Sequence, residues 1–345
     1  MKQKLSFIVK LGVLVLAFWG ICCKSVQAKD NAPTQQDRSF TVKAILPKNQ
    51  VTDKETFFDL QVKPNQKQKL SMIVMNIGKK PMTIKINLNN AYTSSNGIIS
   101  YDRSKVKLYQ PLQPSLTDLI IGKRTATVKV QPQETKIVSF PYKAPAEPFK
   151  GIILGGIVAT SAVGSSTKSN FAIQNQIQYV TGIVLRSNMD HVQPDLKMSK
   201  EVTGKSRSTQ QGIGFTLYNP APINVSGMKM NAHFIRNKKQ HIKKTMSSLQ
   251  VAPNSKWQVM IPFKKVKPGS YKLNLTLTAK NGYKKSFVRH FTISKAQTAI
   301  LHKKTTPKRY NRVLPWIFVG FFLVIILGLV YLLWIYLKAR NNRGR

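Results

Sequence analysis

From Val313 to Leu337 the chain carries no charged side chain, and this run constrains its fold more than any other feature. Wound as a helix at about 1.5 Å per residue it reaches roughly 37 Å, enough to cross a bilayer with some tilt. Trp316 lies near one end of the run, and Tyr331, Trp334 and Tyr336 near the other, where an aromatic belt meets the headgroups. A helix of this length inside a globular domain would need a polar face, and this one has none. The expectation is a transmembrane helix over 313–337.

The other end fixes its direction. Residues 1–28 combine Lys2, Lys4 and Lys10, an apolar stretch from Leu11 to Cys23, and Val26-Gln27-Ala28, with small residues where a signal peptidase reads. The stretch is shorter than the roughly 20 apolar residues of a span, so it reads as a signal peptide rather than an anchor. Ile21 is not the small residue that precedes a lipidated cysteine, and Cys22 and Cys23 are the chain's only cysteines, so no disulfide framework exists. The C-terminal run is basic on both flanks and does not orient itself by charge. The signal peptide does so, by exporting 29–312 and leaving 338–345 as a short cytoplasmic basic tail. Leu314-Pro315-Trp316-Ile317-Phe318 is not a sortase motif.

Between the ends, apolar and polar residues alternate in short runs broken by turn residues. Phe40 to Leu46 stops at Pro47, and Met82 to Leu88 follows Pro81. Further runs cover 126–130, 136–142, 176–185, 212–218, 257–263, 271–278 and 286–293. Period two marks half-buried antiparallel strands. Although the formal charge is +43, 42% of residues are hydrophobic, enough to build packed cores and to argue against a disordered polycation. Val130 to Lys143 aligns without gaps on Val251 to Lys264, with Val, Pro, Val, Pro and Lys coinciding and Tyr142 meeting Phe263. The fold expected is all-β: two tandem immunoglobulin-like β-sandwich domains, 29–187 and 188–296, a basic stalk over 297–312, and one C-terminal transmembrane helix.

Three segments, Phe40 to Gln50, Asn90 to Tyr101 and Ala144 to Ile157, resemble in sequence and order the N-terminal domain of the WxL-interacting proteins of Gram-positive bacteria. Val251 to Tyr271, with Ala252 to Ser255 and Lys267 to Tyr271 as its motifs, resembles the second domain of the same family. The resemblance implies peptidoglycan binding by the first domain, host binding by the second, and a partner that carries a Trp-x-Leu wall-binding motif. Trp19, Trp257, Trp316 and Trp334 are none of them followed by x-Leu, so this chain would be the scaffold for that partner.

Catalysis finds little support. His191, His233, His241, His290 and His302 show no zinc-helix spacing, and Gly151 to Gly156, which follow Pro148-Phe149, suit close backbone approach in a sandwich better than a phosphate loop. No cofactor and no metal are expected. Glycan binding needs polar side chains beside a ring that stacks on a sugar face. Asn90, Tyr92, Thr93, Asn96 and Tyr101 offer that mixture around Gly97, although a hairpin with inward tyrosines fits as well. From 186 to 312 the only acids are Asp190, Asp195 and Glu201, and the chain has none thereafter. A field of one sign attracts polyanions, so Lys238, Lys239, Lys243 and Lys244 are expected contacts for teichoic acid or another polyanion. Specific nucleic-acid binding is not expected. His233 and His241, eight apart among lysines, fit one face of a ribbon, and a solvated basic surface is the plain alternative for them as for the lysines. The function expected is a membrane-anchored adhesion scaffold that binds peptidoglycan, a WxL-domain surface protein and a host or matrix protein. An accessory subunit of an envelope signalling or transport complex is the alternative.

Overall fold

The computed structural model describes residues 40–162, 176–208, 210–280, 282–305 and 313–342. The expected signal peptide lies outside them. The first domain runs β1 (Phe40–Ile45), β2 (Phe58–Gln61), β3 (Lys67–Asn76), β4 (Met82–Asn90), β5 (Tyr92–Thr93), β6 (Ile99–Ser100), the one-turn helix α1 (Leu116–Leu119), β7 (Thr125–Val130), β8 (Thr135–Lys143), β9 (Ile153–Ala162) and β10 (Gln176–Arg186). One sheet has the order β1-β3-β8 and the facing sheet β2-β10-β9-β4-β7, with β2 parallel to β10 and the other pairs antiparallel. Alternation decides the core. Leu70, Met72 and Val74 of β3 and Val138, Phe140 and Tyr142 of β8 point inward, against Ile84, Ile86 and Leu88 of β4 and Ile183 and Leu185 of β10. Asp59 of β2 receives two hydrogen bonds of 2.8 Å from the Arg186 guanidinium, which ties the short parallel strand to β10.

The second domain runs β11 (Lys197–Met198), β12 (Thr203–Arg207), β13 (Gln210–Asn219), β14 (Val225–Arg236), β15 (Gln240–Val251), β16 (Ser255–Phe263), β17 (Gly269–Thr278) and β18 (Lys284–Ile293). In one sheet β13 pairs β11 and β12 along one edge and β16 along the other, and the facing sheet is β15-β14-β17-β18. Trp257, Val259 and Ile261 of β16 meet Phe234 of β14 and Leu273 and Leu275 of β17 in a second core.

The internal echo is structural. Both copies hold the end of one strand, a turn and the next strand, and the aligned turn residues Gln133 and Asn254 both have positive φ, 61° and 45°. A buried asparagine also recurs in the same role. Asn76 donates to the carbonyls of Lys80 and Val130, and Asn219 donates to those of Ile223 and Ala252. Each also accepts a backbone N–H two residues ahead, from Gly78 and Ala221. A buried amide left unbonded is costly, so each asparagine pins the connection that crosses from one sheet of its sandwich to the other.

Two helices follow. The stretch expected as a stalk differs from expectation at its start, because α2 (Lys295–Thr305) is helical and docks on β12. Leu301 joins the second core, and a Cβ on Gly204 would lie 2.6 Å from its Cδ1. α3 (Val313–Asn342) contains one 19-residue segment, Gly320–Lys338, that is long and apolar enough to cross a membrane, with none of it covered by protein.

Candidate functional site at the domain joint

The segment 90–101, expected to hold a glycan, forms β5, a turn and β6, and the turn reaches across to the second domain. Gly97 turns the chain at φ +73°. Its N–H donates to the Ser94 carbonyl, and its own carbonyl accepts from Gln250 N at 2.7 Å. A side chain here would be strained by the backbone angle and would also collide, since a Cβ would sit 2.5 Å from the ring of Trp257 and 2.8 Å from Leu249. Beside it the Thr93 hydroxyl closes a buried circuit. Ala252 N donates to Thr93 Oγ1 at 2.9 Å, and Ser255 Oγ gives its single proton to the Ala252 carbonyl at 2.8 Å. The 2.8 Å contact between Thr93 Oγ1 and Ser255 Oγ is therefore donated by threonine. Two further strips complete the joint. Gly151, at φ +71°, lies where a Cβ would be 2.2 Å from the Pro222 carbonyl oxygen, and the next N–H, of Ile152, bonds that oxygen at 2.8 Å. Tyr109 N donates to Asn254 O, its ring packs 4.9 Å from that of Tyr218, and Lys256 lies 5.0 Å over it.

The expected glycan residues are thus divided. Asn90 is buried, its amide donating to Thr117 Oγ1 and accepting from Thr117 N, so it holds α1. Tyr92 donates to Asp102 at 2.6 Å under the Arg103 guanidinium, and burial followed by that carboxylate raises its pKa above the ordinary tyrosine value. Thr93 belongs to the joint, and Asn96 is exposed at the turn. Tyr101 stacks on Gly156, where a Cβ would lie 2.9 Å from its ring. Of the five, only Tyr101 lines the cleft of about 1100 Å³ that opens beside the joint. That cleft combines rings (Tyr101, Tyr179) with polar groups from both domains (Lys43, Thr181, Asn224, Gln250), the mixture a sugar polymer needs. Sequence reasoning did not single out Lys43, Tyr179, Thr181, Asn224 and Gln250, because they come from β1, β10, the loop before β14 and β15 and share no motif.

The four expected polyanion lysines also separate. Asn237 and Lys238, at φ 49° and 59°, are the central residues of the turn between β14 and β15, which the Lys239 N–H closes on the Arg236 carbonyl. Lys239 follows the turn, and Lys243 pairs in register with His233 on the solvent face of the sheet. Lys244 belongs to the opposite face, 5.5 Å over the Phe263 ring. Among the described residues no group of three or more His, Cys, Asp and Glu side chains is placed to hold a metal.

Comparison with known families decides the relationship. Residues 40–161 match the WxL Interacting Protein peptidoglycan binding domain, and residues 168–303 match the WxL Interacting Protein host binding domain. The chain belongs to the WxL-interacting proteins. The segments that carried the resemblance, 90–101, 144–157 and 251–271, supply most of the joint, so what marks this family in sequence also fixes one domain on the other. Both matched domains are binding domains and neither is an enzyme family. No curated protein sequence matches this WxL-interacting protein. Solved structures similar to it include the YadV chaperone, at 10% identity, 73% coverage of this chain, 100% of that chain and TM-score 0.30. Another is the E. coli chaperone DraB, at 10% identity, 74% and 97% coverage and TM-score 0.27. Likenesses this distant carry no argument about function.

Proposed function

We propose that this WxL-interacting protein is a membrane-anchored scaffold of the cell surface. Its first domain holds peptidoglycan, with the glycan in the cleft beside the joint. The chain binds a surface protein that carries a WxL domain, and its second domain is presented to a host or matrix protein. The observation that carries this reading is the joint itself. A peptidoglycan-binding domain and a host-binding domain meet through buried hydrogen bonds and two glycines that admit no side chain, which suits a spacer of fixed geometry better than a flexible linker. The exposed apolar helix supports anchoring, since such a surface left in water would drive aggregation.

The test of anchoring and direction uses intact protoplasts of an expressing cell. External protease is expected to remove both sandwiches and leave a membrane stub that retains α3. Sandwiches that survive external protease but are digested after lysis would contradict the orientation, and sandwiches released intact without protease would contradict anchoring.

A further inference from the structure

The solvent face of the sheet β15-β14-β17-β18 carries a patterned set of side chains. Register places four rows of side chains on it: Lys229, Thr278 and Lys284; Thr245, Asn231, Thr276 and Ser286; Lys243, His233, Asn274 and Val288; His241, Ile235, Lys272 and His290. Every ionisable group in these rows is a lysine or a histidine. With strands about 4.8 Å apart, the face is a lattice of cationic and hydroxyl groups at polymer-like spacing. At one end it dips into a shallow basin of about 660 Å³, where Lys238, His241, Lys272 and His290 converge with the hydroxyl-bearing Ser270 and Thr292. The turn that aims Lys238 there is held by Asn237 Oδ1, which accepts from Ser270 N at 3.0 Å.

One contact on this face joins two histidine rings. His233 Nε2 and His241 Nδ1 are 3.0 Å apart, so one ring donates and the other accepts, and the pair in this arrangement carries at most one positive charge. A second proton turns the acceptor into a donor. The bond breaks, and two imidazolium rings are left beside Lys243 of β15, Lys272 of β17, His290 of β18 and Lys238 of the turn. An anionic chain laid across the face offsets that repulsion, so its binding and proton uptake favour each other.

We propose that this face binds a linear phosphodiester polymer of the teichoic-acid class, seats a phosphate in the basin, and grips it more tightly when a second proton enters the His233–His241 pair. The choice of polymer, though not the face itself, rests on the membrane-anchored reading. Only residues 306–312 separate α2 from α3, a reach of about 25 Å at full extension, which holds the face within the envelope layer next to the bilayer.

The test uses the full-length chain in neutral detergent micelles, where binding does not depend on placement in a cell, and titrates lipid-free poly(glycerol phosphate) by calorimetry. Wild type is expected to bind at least about five-fold more tightly at pH 5.5 than at pH 7.5, roughly one added ion contact in water. Lys243→Gln with Lys272→Gln should weaken binding about twenty-five-fold, two such contacts. Lys244→Gln, on the opposite face, should leave it unchanged. His233→Gln with His241→Gln should keep the affinity at pH 7.5 and lose most of the gain at pH 5.5. The proposal is overturned if the double-lysine variant binds like wild type, or if Lys244→Gln weakens binding as much. A gain at pH 5.5 that survives loss of both histidines overturns the proton coupling, and tighter binding of heparin at equal charge overturns the choice of polymer.

Discussion

Trp257→Ala is expected to destabilise the second sandwich by about 3–5 kcal/mol, the cost of emptying a large buried aromatic site. Trp257 is fully buried and lies on β16, opposite Leu217 of β13. For a domain of this size the loss lowers the melting temperature by about 12–20 °C. The same ring is the surface against which Gly97 packs, and its Nε1 makes a long 3.5 Å contact with the Ser95 carbonyl. The cavity should therefore loosen the joint as well as the core. Calorimetry of the full chain in detergent checks both effects, and an unchanged transition would show that the tryptophan is not the keystone of the core and joint.

Gly97→Val isolates the joint from the core. A β-branched residue at φ +73° is strained by about 1–3 kcal/mol, and its Cβ meets the Trp257 ring and Leu249, where overpacking adds a similar amount. The strain can be released without unfolding either sandwich, by withdrawing the 94–98 turn from the second domain. Wild type is expected to melt with its two sandwiches coupled, and Gly97→Val with two separate transitions. The variant should also become open to proteases at 94–98. A single unsplit transition would mean that the Thr93 circuit and the Gly151 and Tyr109 strips are enough to hold the domains together.

How much of this was legible in the sequence follows from which interactions are local. The strands β1, β4, β8 and β17 have one face in a core and one in water, so period two shows through, whereas β13 is buried on both faces from Gln211 to Phe215 and alternates only beyond it. β15 does not read this way, because Lys243 and Lys244 occupy both faces of an edge strand and only Leu249 and Val251 are buried. β9 hides its strand character behind Gly155 and Gly156, whose missing side chains leave room for Leu116 and Tyr101. α2 escaped notice because, among the described residues, Leu301 is the large apolar side chain it buries while Ile300 beside it stands exposed.

The candidate site was legible only as a place. The segment 90–101 stood out, yet the partners of Thr93 are Ala252 and Ser255, 159 and 162 residues away, and no local pattern records such a pairing. Its polar residues looked like ligand contacts because a buried joint and a sugar site draw on the same side chains. The cleft was invisible for the same reason, its lining being gathered from β1, β10 and the loop that leads into β14.

The most direct measurement is co-sedimentation of the full-length chain with purified peptidoglycan sacculi. The cleft variant combines Lys43→Gln, Tyr179→Leu and Asn224→Ala, with leucine chosen to keep apolar contact on Phe40. Wild type is expected to pellet, and the cleft variant to bind at least about ten-fold more weakly, about 1.4 kcal/mol, with its melting temperature little changed. Asn96→Ala, at the exposed turn, should pellet like wild type. Full binding by the cleft variant together with loss in Asn96→Ala would contradict the account and move the glycan to the turn, and a wild-type chain that stays in the supernatant would contradict the binding itself.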